Sequence, residues 1–209
     1  MNAVAAWVGR PWEPRATQTY AAIVAVTTLW ASAADDRLAL AALRTASTNL
    51  HGLARQPLTV LVASAMWADP GGWRGYLMFL VAAVLVLGPV ERRLGTGRWL
   101  IAFVGGHAGA TLITAAGLWL AIETGRADRS LSRVVDVGWS YGTIAVAAVG
   151  TGLAPAGTRR WWAAVLVVVC AAGLARHPDV TGVGHVVAGA IGFGLAPWLT
   201  PGADREQRV

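Results

Sequence analysis

Charge is missing from six stretches of the chain: Thr17–Ala34, Gly75–Val90, Trp99–Ile122, Val137–Thr158, Trp161–Ala175 and Val180–Ala203. A helix needs about 20 mostly apolar residues to cross the hydrocarbon core of a bilayer. Four of the stretches approach or exceed that length. Gly75–Val90 and Trp161–Ala175 are shorter and must borrow flanking interfacial residues. The pattern predicts an all-α, polytopic helical bundle with six transmembrane helices, at about 17–34, 73–90, 98–122, 137–154, 161–175 and 182–199. These make one membrane domain over 17–203, with an N-terminal cytoplasmic leader at 1–16 and a C-terminal tail at 204–209. A further uncharged run, Pro57–Ala68, has the length of a re-entrant or interfacial piece.

Composition supports the same class. Of 209 residues, 56% are hydrophobic and 13% charged, about half the charged share of a soluble domain. All 17 basic residues are arginine. They are spread over the loops, where such charges meet lipid headgroups, so the net charge of +6 points to membrane lipids and not to nucleic acid. Tryptophans near span ends (Trp12, Trp73, Trp99, Trp119, Trp161, Trp162, Trp198) fit an interfacial belt. The short turns "ERRLGTGR" and "TRR" are dense in arginine, which places both termini in the cytoplasm. Arginine-only basic usage with abundant alanine and glycine suggests a bacterial origin, hence an integral multi-pass protein of a bacterial cytoplasmic membrane. One cysteine, Cys170, rules out a disulfide framework. No internal repeat is visible, and no Asp, Glu or Arg falls within the uncharged spans, which weighs against a transporter or channel. Four histidines without HExxH-like spacing suggest neither metal nor cofactor.

Candidate chemistry gathers at the heads of two spans that run in the same direction. In "DVGWSYGTIA", Ser140 follows Asp136 by four residues, and His185 follows Asp179 by six. At 1.5 Å per residue both side chains are expected roughly one to two turns below the same membrane face. Gly138 and Gly142 bracket the serine, and Ala188 and Gly192 follow the histidine, both at small-xxx-small spacing. Small residues let helix backbones approach closely in lipid, and a short serine side chain needs that proximity to reach an imidazole. A lone serine in a span usually bonds its own backbone, and a lone histidine can simply bridge two helices. Together at one depth they suggest a nucleophile and its general base. His107 in "GGHAGAT" reads as a packing or hydrogen-bonding residue, and His51 and His177 fall in loops.

Three segments, in order, resemble the rhomboid intramembrane serine proteases. "GPVERRLGTGR" resembles the family's signature after the second span, "GWSYG" its Gly-x-Ser nucleophile motif, and "GHVVAGAIGFG" its histidine motif. The resemblance covers most of the chain from Pro57 onward. It implies that Ser140 attacks a peptide bond in or near a transmembrane segment of a membrane-protein substrate, with His185 as base and no triad aspartate. It also implies that Ala34–Asp69 forms a loop partly embedded in the outer leaflet.

Three features depart from the family pattern. The family's oxyanion-stabilising histidine and asparagine of the second span fall on Gly75 and Phe79, neither of which has a donor. Tyr141 stands where glycine usually follows the serine, and Ile144 where an aromatic ring often stacks on the histidine. Candidates to line or complete the oxyanion site are Gly138, Trp139, Tyr141, Arg74 and backbone N–H groups at the start of the fourth span. Two readings stand open: a serine protease, and a catalytically inactive relative that binds client helices.

Overall fold

The computed structural model describes residues 13–68, 73–176 and 178–200. Most of the expected leader, the tail and His177 lie outside the described residues. Among the described residues there are no strand, a 3-10 turn at Arg129–Arg133 and nine α-helices. They are α1 (Arg15–Ala33), α2 (Asp36–Ala46), α3 (Leu50–Arg55), α4 (Pro57–Ala65), α5 (Trp73–Leu94), α6 (Thr96–Glu123), α7 (Ser140–Thr151), α8 (Ala156–Arg176) and α9 (Val180–Leu199).

Four of these, α5, α6, α8 and α9, are long and apolar enough to cross a membrane. The expectation of six is therefore met only in part. Helix α1 is 19 residues long but diluted by Thr17, Gln18, Thr19, Thr27, Thr28 and Ser32. Helix α7 has only 12 residues, about 18 Å against a hydrocarbon core of about 30 Å. It starts at Ser140, three residues after the expected 137. The physical reason lies at Gly138, whose φ of +152° is closed to side-chain-bearing residues and breaks the helix there.

Helix α7 is the centre of the bundle. It packs on α5, α6, α8 and α9, and all its residues except Ser140 and Ile144 are buried. A helix apolar all round belongs inside a protein or membrane, and this one is wrapped by its neighbours. Contact on that scale needs small side chains. A Cβ at Gly192 of α9 would lie 2.4 Å from the Ala145 carbonyl oxygen and 2.7 Å from the Ala148 Cβ. A Cβ at Gly106 of α6 would lie 2.0 Å from the Ala145 Cβ. Ala145 is thus clasped from both sides by glycines. Gly142 faces elsewhere: its missing side chain makes room for the Phe103 ring of α6, 2.6–2.7 Å from where a Cβ would sit. Ala188 is fully buried beside Tyr141. The expected small-residue pairs therefore serve different partners, and Gly138 lies outside the helix altogether.

Helix α5 carries a π turn at Ala83–Leu87, ahead of Gly88 and Pro89. Proline lacks an N–H and crowds the preceding turn, and a widened turn relieves that crowding. Glu91 follows, fully buried. Its carboxyl oxygens accept from the N–H groups of Ala16 (3.0 Å) and Thr17 (2.8 Å) and from the Thr96 hydroxyl (2.8 Å). Helix α1 has no side-chain cap of its own; a residue of α5 supplies it. The "ER" of the arginine-rich turn is in this respect a helix cap, which satisfies otherwise orphaned donors.

The 34–68 segment is largely helical, built from α2, α3 and α4. It is stitched to α1 by Tyr20 Oη donating to the Ala65 carbonyl and by Thr27 Oγ1 donating to the Met66 carbonyl at 2.6 Å. It is also latched to the loop before α7. Thr48 N–H donates to the Asp136 carbonyl (2.9 Å), Thr48 Oγ1 to Asp136 Oδ2 (3.1 Å), and Asp136 N–H to Ser47 Oγ (2.9 Å). Burial pushes the Asp136 carboxyl above the usual aspartate range; the Thr48 hydroxyl opposes this and the Asp179 charge adds to it.

Two stability experiments follow from this packing. Gly192→Ala is expected to lower the apparent melting temperature in detergent, because forcing extra atoms into a packed contact costs about 1–3 kcal/mol. Gly194→Ala, where a Cβ meets nothing within 4 Å, is expected to leave it unchanged. Equal effects of the two substitutions would refute the clasp. For Asp136 the folded-state pKa is raised, so its contribution to stability is present below the unfolded value of about 3.9 and is lost as pH rises through the folded value. Asp136→Asn, which keeps an acceptor for Thr48, is expected to raise the melting temperature near neutral pH, with the gain vanishing toward about pH 4. A gain that grows on acidification would contradict this.

Candidate active site

Ser140 is the first residue of α7, and three contacts fix the chain leading to it. Gly138 N–H donates to the Ser64 carbonyl at 2.9 Å. Asp136 is latched to Ser47 and Thr48 as above. The Trp139 ring meets the Phe79 ring of α5 edge to face, centroids 5.4 Å apart. The serine reaches its depth at the end of an extended, pinned segment and not one turn into a helix. No side chain caps α7, so its first-turn N–H groups have no helical acceptor.

His185 is placed from the other side. Asp179 caps α9, accepting from Gly182 N–H at 2.8 Å. Six residues later, about 9 Å along the axis, His185 Nε2 lies 2.8 Å from Ser140 Oγ. For the hydroxyl to donate to Nε2, the imidazole proton must sit on Nδ1. Both residues are half-buried. Behind α9, the Cys170 thiol of α8 lies 3.7 Å from the His185 carbonyl.

Tyr141 answers two of the three departures at once. Its buried ring stands edge-on to the His185 imidazole, centroids 5.4 Å apart at 81°. It therefore occupies the aromatic place that Ile144 leaves open; Ile144 packs instead beside Gly189. The ring fits because the residue before the histidine is Gly184: a Cβ there would lie 2.3 Å from Tyr141 Cζ and Oη. Crowding by the tyrosine is relieved on the facing helix.

A cavity of about 20 Å³ adjoins the serine, lined by Thr48, Ser64, His107, Asp136, Gly138, Ser140 and Tyr141 among others. That is room for about one water molecule. His107, expected only to pack or to hydrogen-bond, joins α6 to α4: its Nε2 lies 3.0 Å from the Leu61 carbonyl and 3.1 Å from Ser64 Oγ. The carbonyl can only accept, so Nε2 carries a proton. His107 Nδ1 is buried without a hydrogen-bond partner among the described residues.

Other candidates lie away from the serine. Arg74 is exposed, its guanidinium over the Trp73 ring at 5.7 Å, and neither it nor Trp139 lines the cavity. Gly75 and Phe79 are buried; Phe79 packs in the apolar core against Tyr20, Tyr76 and Trp139. The second-span donor positions are filled by hydrophobic contact. His51 is exposed on α3. Sequence reading missed Thr48, Ser64 and Thr181, which also line the cavity. Isolated hydroxyls carry no spacing that would single them out.

Comparison with known proteins gives the family. The family model described as "Rhomboid-like protein" matches residues 13–205. No curated protein and no solved structure matches. With four apolar helices of spanning length and a family match over nearly its whole length, the chain is an integral membrane protein and belongs to the rhomboid-like protein family.

Proposed function

We propose that this protein is an intramembrane serine endopeptidase in which Ser140 is the nucleophile and His185 the general base. The observation that carries the reading is the 2.8 Å approach of His185 Nε2 to Ser140 Oγ. As Oγ attacks the scissile carbonyl, its proton passes to Nε2; the imidazolium then returns it to the departing amine. The ester on Ser140 is hydrolysed by a water that gives its proton to the same nitrogen, and Oγ recovers a proton as it leaves. The Tyr141 ring holds the imidazole in place on one side. First-turn N–H groups of α7, with the positive end of the helix dipole, suit the oxyanion. In this reading α1 and α7 complete a six-helix membrane unit with both termini cytoplasmic. Clients are membrane proteins whose helix unwinds locally near the serine, since a regular helix hides its backbone.

A second reading, a pseudoprotease that binds client helices without cutting them, is favoured by the apolar filling at Gly75 and Phe79. Loss of one oxyanion donor costs about a hundred- to thousandfold in rate. A slow enzyme is therefore expected from the first reading and none from the second.

A fluorophosphonate probe separates them. Purified wild-type protein in detergent is expected to be labelled, Ser140→Ala not at all, and His185→Ala roughly 10²–10⁴-fold more slowly. Labelling that survives Ser140→Ala, or is absent from wild type, would end the protease reading. In peptide hydrolysis, Tyr141→Ala is expected to lower kcat more than it raises KM, whereas Arg74→Ala leaves kcat unchanged. The reverse result would move the oxyanion site to Arg74.

A further inference from the structure

A groove of about 610 Å³ opens between α1, α4 and α6. Its middle is apolar, lined by Tyr20, Ile23, Leu61, Val62, Phe103 and Val104. Its two ends differ. At one end stand Arg15, Thr19 and Thr96; at the other, His107 and Ala108. His107 also lines the cavity beside Ser140, so one imidazole closes both spaces.

The length of the groove suits one occupant. Along α6 it extends from Thr96 to Ala108, about 18 Å. One leaflet's share of the hydrocarbon core is about 15 Å deep, so a single acyl chain matches that length. The polar end adds a sign. Arg15 is exposed and forms no ion pair among the described residues. Glu91, the acid at this end of α1, is buried and already accepts from Ala16, Thr17 and Thr96. Glu13 is exposed and does not line the groove. The exposed charge that lines this end is therefore that of Arg15, and it suits a phosphate.

We propose that the groove holds one acyl chain of an anionic membrane phospholipid, with its phosphate on Arg15 and its chain end against His107. The lipid would be a structural ligand of the α1–α4–α6 junction, in contact with the residue that also borders the Ser140 cavity. This does not depend on catalysis, so the test uses the Ser140→Ala protein.

The protein is purified in mild detergent, offered palmitoyl-oleoyl phosphatidylglycerol or phosphatidylcholine, and examined by native mass spectrometry. One retained phosphatidylglycerol per chain is expected, with phosphatidylcholine lost. Arg15→Glu is expected to cut phosphatidylglycerol retention by about tenfold. Val104→Trp, which fills the groove midway, is expected to abolish retention, with helicity checked by circular dichroism; Ile23→Trp serves if that variant does not fold. Equal retention of the two lipids, or retention indifferent to Arg15→Glu, would overturn the headgroup assignment. Retention indifferent to groove filling, or displacement of the lipid by a transmembrane peptide that crosslinks at position 104, would overturn the groove.

Discussion

The meeting of serine and imidazole rests on the closeness of α7 and α9, and that closeness rests on absent side chains. Gly192 lets the backbone of α9 lie on Ala145 and Ala148, and Gly184 admits the Tyr141 ring. With the helices held at that separation, residues near the two heads need only short reach. Dispersion at such contacts is small per atom pair but acts over many atoms. In lipid, where no hydrophobic force draws helices together, it is the main source of association. The polar pair therefore sits at an interface that is stabilised elsewhere, by apolar packing, and is oriented by it.

A helix as short as α7 cannot face lipid over its whole length, because its ends would leave backbone groups unsatisfied in hydrocarbon. The surrounding protein removes that problem. Four helices cover its sides. Above its first residue, the α2–α4 segment supplies hydrogen-bond partners through Ser47, Thr48 and Ser64. The irregular stretch at 134–139 is thus tolerated where it is bonded to protein. The same stretch delivers Ser140 at the edge of a small polar cavity.

Much of this was legible in the chain. The uncharged runs located the four helices of spanning length, and the placement of Ser140 and His185 after Asp136 and Asp179 anticipated that the two side chains could meet. What could not be read was how α7 begins. Hydropathy continues through Val137, Gly138 and Trp139, but a positive φ at Gly138 and its bond to Ser64 stop the helix; neither leaves a periodic signal. The helix-packing glycines were recognised by spacing, yet spacing does not say which neighbour they face, and Gly142 turned out to admit Phe103. Tyr141 looked like an obstruction, because its compensation at Gly184 lies 43 residues away in sequence and becomes visible only when α9 is laid alongside. His107 resembled an ordinary core histidine, and only the path of α4 brings Leu61 and Ser64 to its ring.

The Glu91 cap has a bearing on how the chain assembles. The amide groups that open α1 are satisfied by a residue 74 and 75 positions further along. When α1 leaves the ribosome, its acceptor has not yet been made. Its first turn stays bonded to water or headgroups until the α5–α6 hairpin arrives. Seating of α1 is thereby coupled to synthesis of a later helix: α1 is translated before α5 and is capped only once α5 is in place.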